Sequence, residues 1–242
     1  MSGLILMLSD VSDGLLITSA CYLICMGLFT KLNLAGEKET PRQTKFAAEF
    51  LEGWHAFCAN KLLRMMTVFV VFLNCTYTVI NTTAIYFAKD DLRLSSSLLA
   101  VVLSASGAGG LAGSLLLSKL RQAWGLGKVF GASILLNALA YFLLFLTDGL
   151  VMFTAALFLC GFAATLYSVS VYAFRQEQTP APLMGRITGI TGTCFRIGMP
   201  IAVYASGWVI AWWGASVIFM ACAVWNLVAL AVYVRTRLWK VQ

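Results

Sequence analysis

Residues 65–88 read MMTVFVVFLNCTYTVINTTAIYFA, a stretch without a charged side chain, bounded by Lys61 and Arg64 on one side and Lys89 and Asp90 on the other. As an α-helix rising 1.5 Å per residue it exceeds the roughly 30 Å of hydrocarbon in a bilayer. A helix is also the form that satisfies every backbone N–H and C=O within one segment, which a spanning chain must do. The polar residues of this stretch are not scattered. Asn74, Tyr77, Thr78, Asn81 and Thr82 fall at i, i+3, i+4, i+7 and i+8, on one face of the helix. Such a face turned to lipid would be costly, so it points to protein or water: either it lines a cavity or it makes hydrogen bonds between helices.

Five more stretches have comparable length and apolarity, at 94–118, 129–147, 149–174, 187–211 and 215–234. A shorter one covers 14–30, and Met1 to Ser9 reads as the tail of another. None shows the alternating segments of about 10 residues expected of barrel strands. The expected fold class is therefore an all-α membrane protein with about seven transmembrane helices. Composition agrees, with 60% hydrophobic and 11% charged residues, against the roughly 25% charged of soluble domains. Mean hydropathy is +0.86. No basic n-region follows Met1, and Asp10 and Asp13 precede the first long apolar run, so no cleaved signal peptide is expected.

The net charge of +7 resolves into a topological pattern. Alternate connections carry 14 of the 17 basic residues: Lys31, Lys38, Arg42, Lys45, Lys61 and Arg64, then Lys119, Arg121 and Lys128, then Arg175 and Arg186, then Arg235, Arg237 and Lys240. The intervening ones carry only Lys89 and Arg93, and Arg196 alone lies inside a helix. The positive-inside rule then places 31–64 and the carboxy terminus in the cytoplasm, and no nucleic-acid partner is implied. The seven cysteines are scattered without a C-x-x-C pair, and the single histidine, His55, sits in a polar stretch. No disulfide framework, metal site or cofactor is expected, and without paired carboxylates or a nucleophile–base pair, neither is an enzyme.

Residues 33–60 form the one candidate linker, rich in polar and turn-forming side chains such as Gly36, Glu37, Lys38 and Pro41. Within it Phe46, Phe50, Leu51, Trp54 and Phe57 recur at helical spacing opposite Lys45, Glu49 and Glu52. That is the pattern of an amphipathic helix, lying in the membrane interface or packed on the cytoplasmic ends of the bundle.

The two ends of the chain resemble each other. Ser2-Gly3-Leu4-Ile5 precedes an apolar helix containing Ala20-Cys21 that ends at Lys31; Ser206-Gly207-Trp208-Val209-Ile210 precedes one containing Ala221-Cys222 that ends at Arg235. The offset of about 200 residues suits six-helix halves related by an axis along the membrane normal. Together with the long linker, this resembles the major facilitator superfamily, most closely its multidrug and secondary-metabolite efflux branch.

Specific segments carry the resemblance. Glu49-Phe50-Leu51-Glu52-Gly53-Trp54 and Asn60-Lys61-Leu62-Leu63-Arg64 are similar to the family's approach into helix 7. Gly113-Ser114-Leu115-Leu116-Leu117-Ser118-Lys119, with Gly127-Lys128, resembles the second copy of the glycine and basic motif between helices 8 and 9, with Ser118 where an aspartate is common. Arg175-Gln176, Pro180, Gly185-Arg186, Gly198, Pro200 and Ser206-Gly207 resemble the helix 10–11 region. The resemblance implies helices 6–12 of a twelve-helix fold, with residues 1–32 ending the amino-terminal bundle, 33–63 forming the cytoplasmic central loop and 64–242 the carboxy-terminal six-helix bundle.

It further implies a plasma-membrane secondary transporter exporting a drug or secondary metabolite by antiport, with a hydrophobic or amphiphilic small molecule as substrate. Only part of the transporter is present, so either an amino-terminal half or a second copy would complete the pathway. The rival expectation is a truncated membrane protein that does not transport. Gly113, Lys119, Gly127, Lys128, Gly185, Arg186, Gly198 and Pro200 are the expected loop and conformational positions.

Three further features stand out. Thr154, Gly161, Thr165, Ser168 and Tyr172 make a weaker stripe in the helix over 149–174, and Ser104, Ser106, Gly107, Gly109, Gly110 and Gly113 make a small-residue packing surface on the helix over 94–118. Arg196 lies about ten residues past Arg186, some 15 Å of helical rise toward the membrane centre. An arginine there costs about 2.5–3.5 kcal/mol on insertion scales unless it has a partner or faces water. No Asp or Glu lies in the apolar cores, so a missing half, an anionic substrate, or carbonyls and water must satisfy it, with Asn74 and Asn81 the richest amide sites within this half. Gly198 and Pro200 are expected to kink that helix.

Overall fold

The computed structural model describes residues 11–31 and 46–241. Nine α-helices are present among them, and seven spans are long and apolar enough to cross a membrane. The helices are α1 (Val11–Lys31), α2 (Phe46–Ala59), α3 (Lys61–Asp90), α4 (Ser96–Trp124), α5 (Leu126–Phe145), α6 (Leu150–Glu177), α7 (Met184–Ile197), α8 (Met199–Trp213) and α9 (Ala215–Val234). The expected tail at Met1 to Ser9 and most of the linker lie outside the described residues.

The helices begin and end where local chemistry stops them. Asn60 caps α3 by accepting a hydrogen bond from Leu63 N–H at 3.0 Å, and Ser95 caps α4 through Leu98 N–H. Gly125 and Gly214 take φ of +79° and +81° to turn the chain tightly between α4 and α5 and between α8 and α9.

The kink expected in residues 187–211 is present: the span divides into α7 and α8 at Gly198, and the two together make one of the seven spans. Pro200 has no N–H for the carbonyl of Arg196 four residues earlier, and its ring crowds that carbonyl. Gly198 also permits close approach: a Cβ there would lie 2.7 Å from Cys75 Sγ of α3.

Helices α3 to α9 pack as one bundle. α4 lies along α6, α6 along α5, and α5 along α9, while α3 is flanked by α9, α7 and α8. The α4–α6 contact is backbone on backbone: a Cβ on Gly161 would fall 1.8 Å from the Ser106 carbonyl oxygen, and one on Gly109 1.9 Å from that of Phe158. Gly109 and Gly113 thus have the packing role expected of the small residues of α4, whereas Gly107 has open space around it and lines the cavity described below with Ser106 and Gly110.

Two apolar clusters fill the bundle, at its opposite ends. One has Phe87 in ring contact with both Phe153 and Phe219; the other joins Phe130, Tyr233 and Ile187 to Phe57 of α2. At that second end the short 3₁₀ turn Arg237–Lys240 folds back on α5, where Gly127 and Gly131 leave room for its backbone and for the Trp239 ring.

α2 settles the choice left by its periodicity in part. Gly53 and Phe57 are buried against the bundle, with a Cβ on Gly53 falling 2.9 Å from Arg186 Cβ, and Arg186 reaches Glu52 at 2.5 Å and Glu49 at 3.6 Å. Its other apolar residues, Phe50, Leu51 and Trp54, remain 40–51% exposed. α1 presents exposed apolar side chains along its length, among them Leu16, Tyr22 and Phe29.

Candidate functional site

A cavity of about 1150 Å³ opens along one side of the bundle, walled by α3, α4, α6 and α7 with Tyr141 of α5 at its floor. It is a concave face rather than an enclosed void, since Tyr77, Asn81, Tyr172 and Arg196 on its walls are all exposed.

The polar face of α3 divides on inspection. Asn74, Tyr77 and Asn81 line the cavity, whereas Thr78 and Thr82 do not. Those two hydroxyls instead donate to the carbonyls of Asn74 and Thr78 one turn back on their own helix, at 2.9 and 3.0 Å. Asn74 combines the two roles weighed for this face. It lines the cavity, donates from Nδ2 to the Phe195 carbonyl at 3.1 Å, and accepts from Tyr167 Oη at 2.9 Å. One amide thus ties α3 to both α6 and α7.

From α6, Gly161, Thr165, Ser168 and Tyr172 of the weaker stripe reach the cavity, and Thr154 does not. Arg196 also lines it, in the last turn of α7, and it makes no hydrogen bond or ion pair among the described residues. The amides expected to serve it are engaged elsewhere: Asn74 with Phe195 and Asn81 with the Tyr77 carbonyl at 2.8 Å. Its position still has a local rationale. The carbonyls freed at the α7 break carry partial negative charge, which favours a cation in the last turn.

Sequence reasoning missed several wall residues. Arg175, counted among cytoplasmic loop charges, lines the cavity; its Nη1 lies 3.4 Å from Thr191 Oγ1, its guanidinium sits 5.1 Å from the centroid of the Tyr172 ring, and its Nε is buried without a partner. Tyr167 and the surface of α7 from Thr188 to Phe195 were missed as well. The signal in α7 was the spacing of Gly185, Gly189 and Gly192, which gives an almost bare helical face. A Cβ at Gly189 or Gly192 would meet nothing within 4 Å.

None of the loop-motif positions lines the cavity, although Gly198 lies between Ile197 and Met199, which do. Gly113 packs on Phe162 of α6, Gly127 beneath the carboxy-terminal turn, and Lys119 and Lys128 are exposed. Arg186 holds α2, Gly185 has open space around it, and Gly198 with Pro200 forms the break. Arg121 of α4 pairs with Glu177 of α6, clipping two helix ends together. Among the described residues no group of three or more His, Cys, Asp or Glu side chains could hold a metal ion.

A bundle of spanning helices with a polar-lined concavity facing sideways narrows the family, and comparison with known proteins names it. The family model of the Major Facilitator Superfamily matches residues 67–239. The chain belongs to this superfamily. A major facilitator fold is also what a solved structure shows: the nucleoside transporter NupG superimposes with a TM-score of 0.65 at 17% identity, over 81% of this chain and 53% of that one. At that identity the likeness concerns the fold alone, and the chain spans about half the length of the transporter it matches. A comparison with curated proteins gives no match.

Proposed function

We propose that this chain supplies one half of the translocation pathway of a secondary transporter, with the α3–α4–α6–α7 cavity as its share of the substrate site. The observation that carries the reading is the cavity itself: polar and aromatic side chains from four helices converge on a concave wall in a protein otherwise faced with apolar residues. Sites of this kind lie near the midplane between two repeats, so a facing bundle is needed to close the pathway. An amino-terminal half would provide it, with α1 as that half's last helix; a second copy of the chain is the other arrangement.

Export of a hydrophobic or amphiphilic small molecule across the plasma membrane is the activity proposed for the completed transporter, by analogy with the efflux branch its motifs resemble. Arg175 and Arg186 at the α6–α7 connection, with Arg235, Arg237 and Lys240, favour a cytoplasmic location for that end and for the carboxy terminus.

The test is to block the cavity without disturbing the bundle. Gly192→Phe directs a ring into open space on the cavity wall, and Gly185→Phe directs one into open space outside it. In an efflux-deficient host expressing the chain with its facing half, Gly192→Phe should abolish export of amphiphilic dyes at normal expression while Gly185→Phe retains it. Equal export by both variants would refute the reading.

A further inference from the structure

The charge on the cavity wall is entirely of one sign. Among the described residues its only ionic side chains are Arg175 and Arg196, and no aspartate or glutamate lines it. The acidic residues of the bundle are committed elsewhere: Glu49 and Glu52 face Arg186, Glu177 pairs with Arg121, and Asp90, Asp91 and Asp148 sit in or beside the connections at the opposite end. A guanidinium remains charged at any accessible pH, so neither arginine can escape by losing its proton.

Both arginines also keep donors in reserve. Arg196 makes no hydrogen bond or ion pair among the described residues, and Arg175 has a buried Nε without a partner. Thr191, which Arg175 reaches, is five residues before Arg196 on α7, about 7.5 Å of helical rise. The two cations therefore stand in sequence along one wall, the first beside the α6–α7 connection and the second about 18 Å of rise beyond Met184, at the helix break. Around them the wall carries the rings of Tyr77, Tyr141, Tyr172 and Phe195 among amide and hydroxyl side chains.

Resting on the reading of the cavity as a substrate site, we infer that its substrate is an organic anion: an apolar, ring-containing body carrying a carboxylate, phosphate, sulfonate or phenolate. Arg175 receives the anionic group at the connection end of the cavity. Arg196 holds it deeper in, and the rings pack on the body. Charge-assisted hydrogen bonds to a planar guanidinium are about twice as strong as neutral ones. A substrate anion thereby offsets the cost of keeping the Arg196 guanidinium at membrane depth without a carboxylate partner.

The test compares probes that differ only in charge. The purified full chain in phosphatidylcholine nanodiscs is titrated with radiolabelled 2-naphthoate and with neutral 2-naphthamide, for wild type, Arg196→Gln, Arg196→Lys, Gly192→Phe and the surface variant Arg237→Gln. Naphthoate should bind about tenfold more tightly than naphthamide to wild type. The preference should fall within twofold in Arg196→Gln, return in part in Arg196→Lys and persist in Arg237→Gln; Gly192→Phe should bind neither probe.

Equal affinity of wild type for both probes, with binding lost in Gly192→Phe, would overturn the anion inference and leave the cavity reading standing. A preference that survives in Arg196→Gln with only a lowered Tm, the signature of a structural arginine, would overturn the role given to Arg196. Absence of saturable, Gly192→Phe-sensitive binding of either probe would overturn both.

Discussion

The Asn74 side chain of α3 donates to the main-chain carbonyl of Phe195 on α7 at 3.1 Å, one residue before Arg196. With Tyr167 Oη donating to the same side chain, the amide fixes where the end of α7 and its arginine stand against the cavity. Asn74→Leu keeps the volume and leaves the Phe195 carbonyl unpaired. It should lower stability by about 1–2 kcal/mol, and Tyr167→Phe by less, because Asn74 then keeps its bond to the Phe195 carbonyl. Thermal unfolding of both single variants and the double variant should show the two losses to be less than additive, since they share one network. Full additivity would mean that Asn74 does not link the two helices.

The α4–α6 seam gives a sharper contrast. Gly161→Ala places a methyl group where the Ser106 backbone stands, so the helices must separate, at a cost of about 1–3 kcal/mol or more. Gly192→Ala meets open space and should change Tm little, apart from a small gain in helix propensity. Melting curves in one detergent measure both. Equal Tm values for the two variants would contradict the backbone contact.

The number of spans, the positive side of the connections and the amphipathic α2 were all legible in the sequence, because each depends on local composition or on a period of 3.6. So was the membership of Asn74, Tyr77, Asn81, Thr165, Ser168, Tyr172 and Arg196 on polar faces, now found around one cavity. What periodicity cannot say is which polar residues spend their hydroxyls on their own helix. Thr78 and Thr82 satisfy themselves one turn back, and their presence on the polar face carried no information about a cavity. Arg175 was hidden for a different reason: next to a loop it counted as a topological charge, while the turn of α6 brings its guanidinium over Tyr172 and inward. The close approach of Cys75 to Gly198 was hidden as well, because it joins helices far apart in the sequence.

α2 is held by a close contact as well as by charge. Arg186 with Glu52 is partly exposed and contributes at most about 1 kcal/mol. The buried Gly53 and Phe57 contribute the larger part, so Gly53→Leu should detach the helix where Glu52→Gln only loosens it. Hydrogen exchange over 46–59 should accelerate strongly in Gly53→Leu, slightly in Glu52→Gln, and not at all over α5 in either. Unchanged protection in Gly53→Leu would refute the docking contact.

Orientation is checked without any substrate. A single cysteine at position 240 should be protected from an impermeant maleimide added to intact cells and should react after permeabilisation, whereas one at Asp148 should react in intact cells. The reverse pattern would invert the proposed topology.

The central claim is that the α3–α4–α6–α7 concavity is wetted while the remaining exposed apolar faces meet lipid. A thiol reacts as the thiolate, which forms in water and not in hydrocarbon. In a cysteine-free background, single cysteines at Asn81, Ser168 and Thr193 on the cavity wall are compared with ones at Leu111 and Leu115, which are 70% and 76% exposed on the outer face of α4. The measurement is the rate of modification by a small charged methanethiosulfonate in native membranes. The account predicts rapid modification at the three cavity positions and almost none at the two leucine positions. Comparable rates at both sets, or no reaction at the cavity positions, would contradict it.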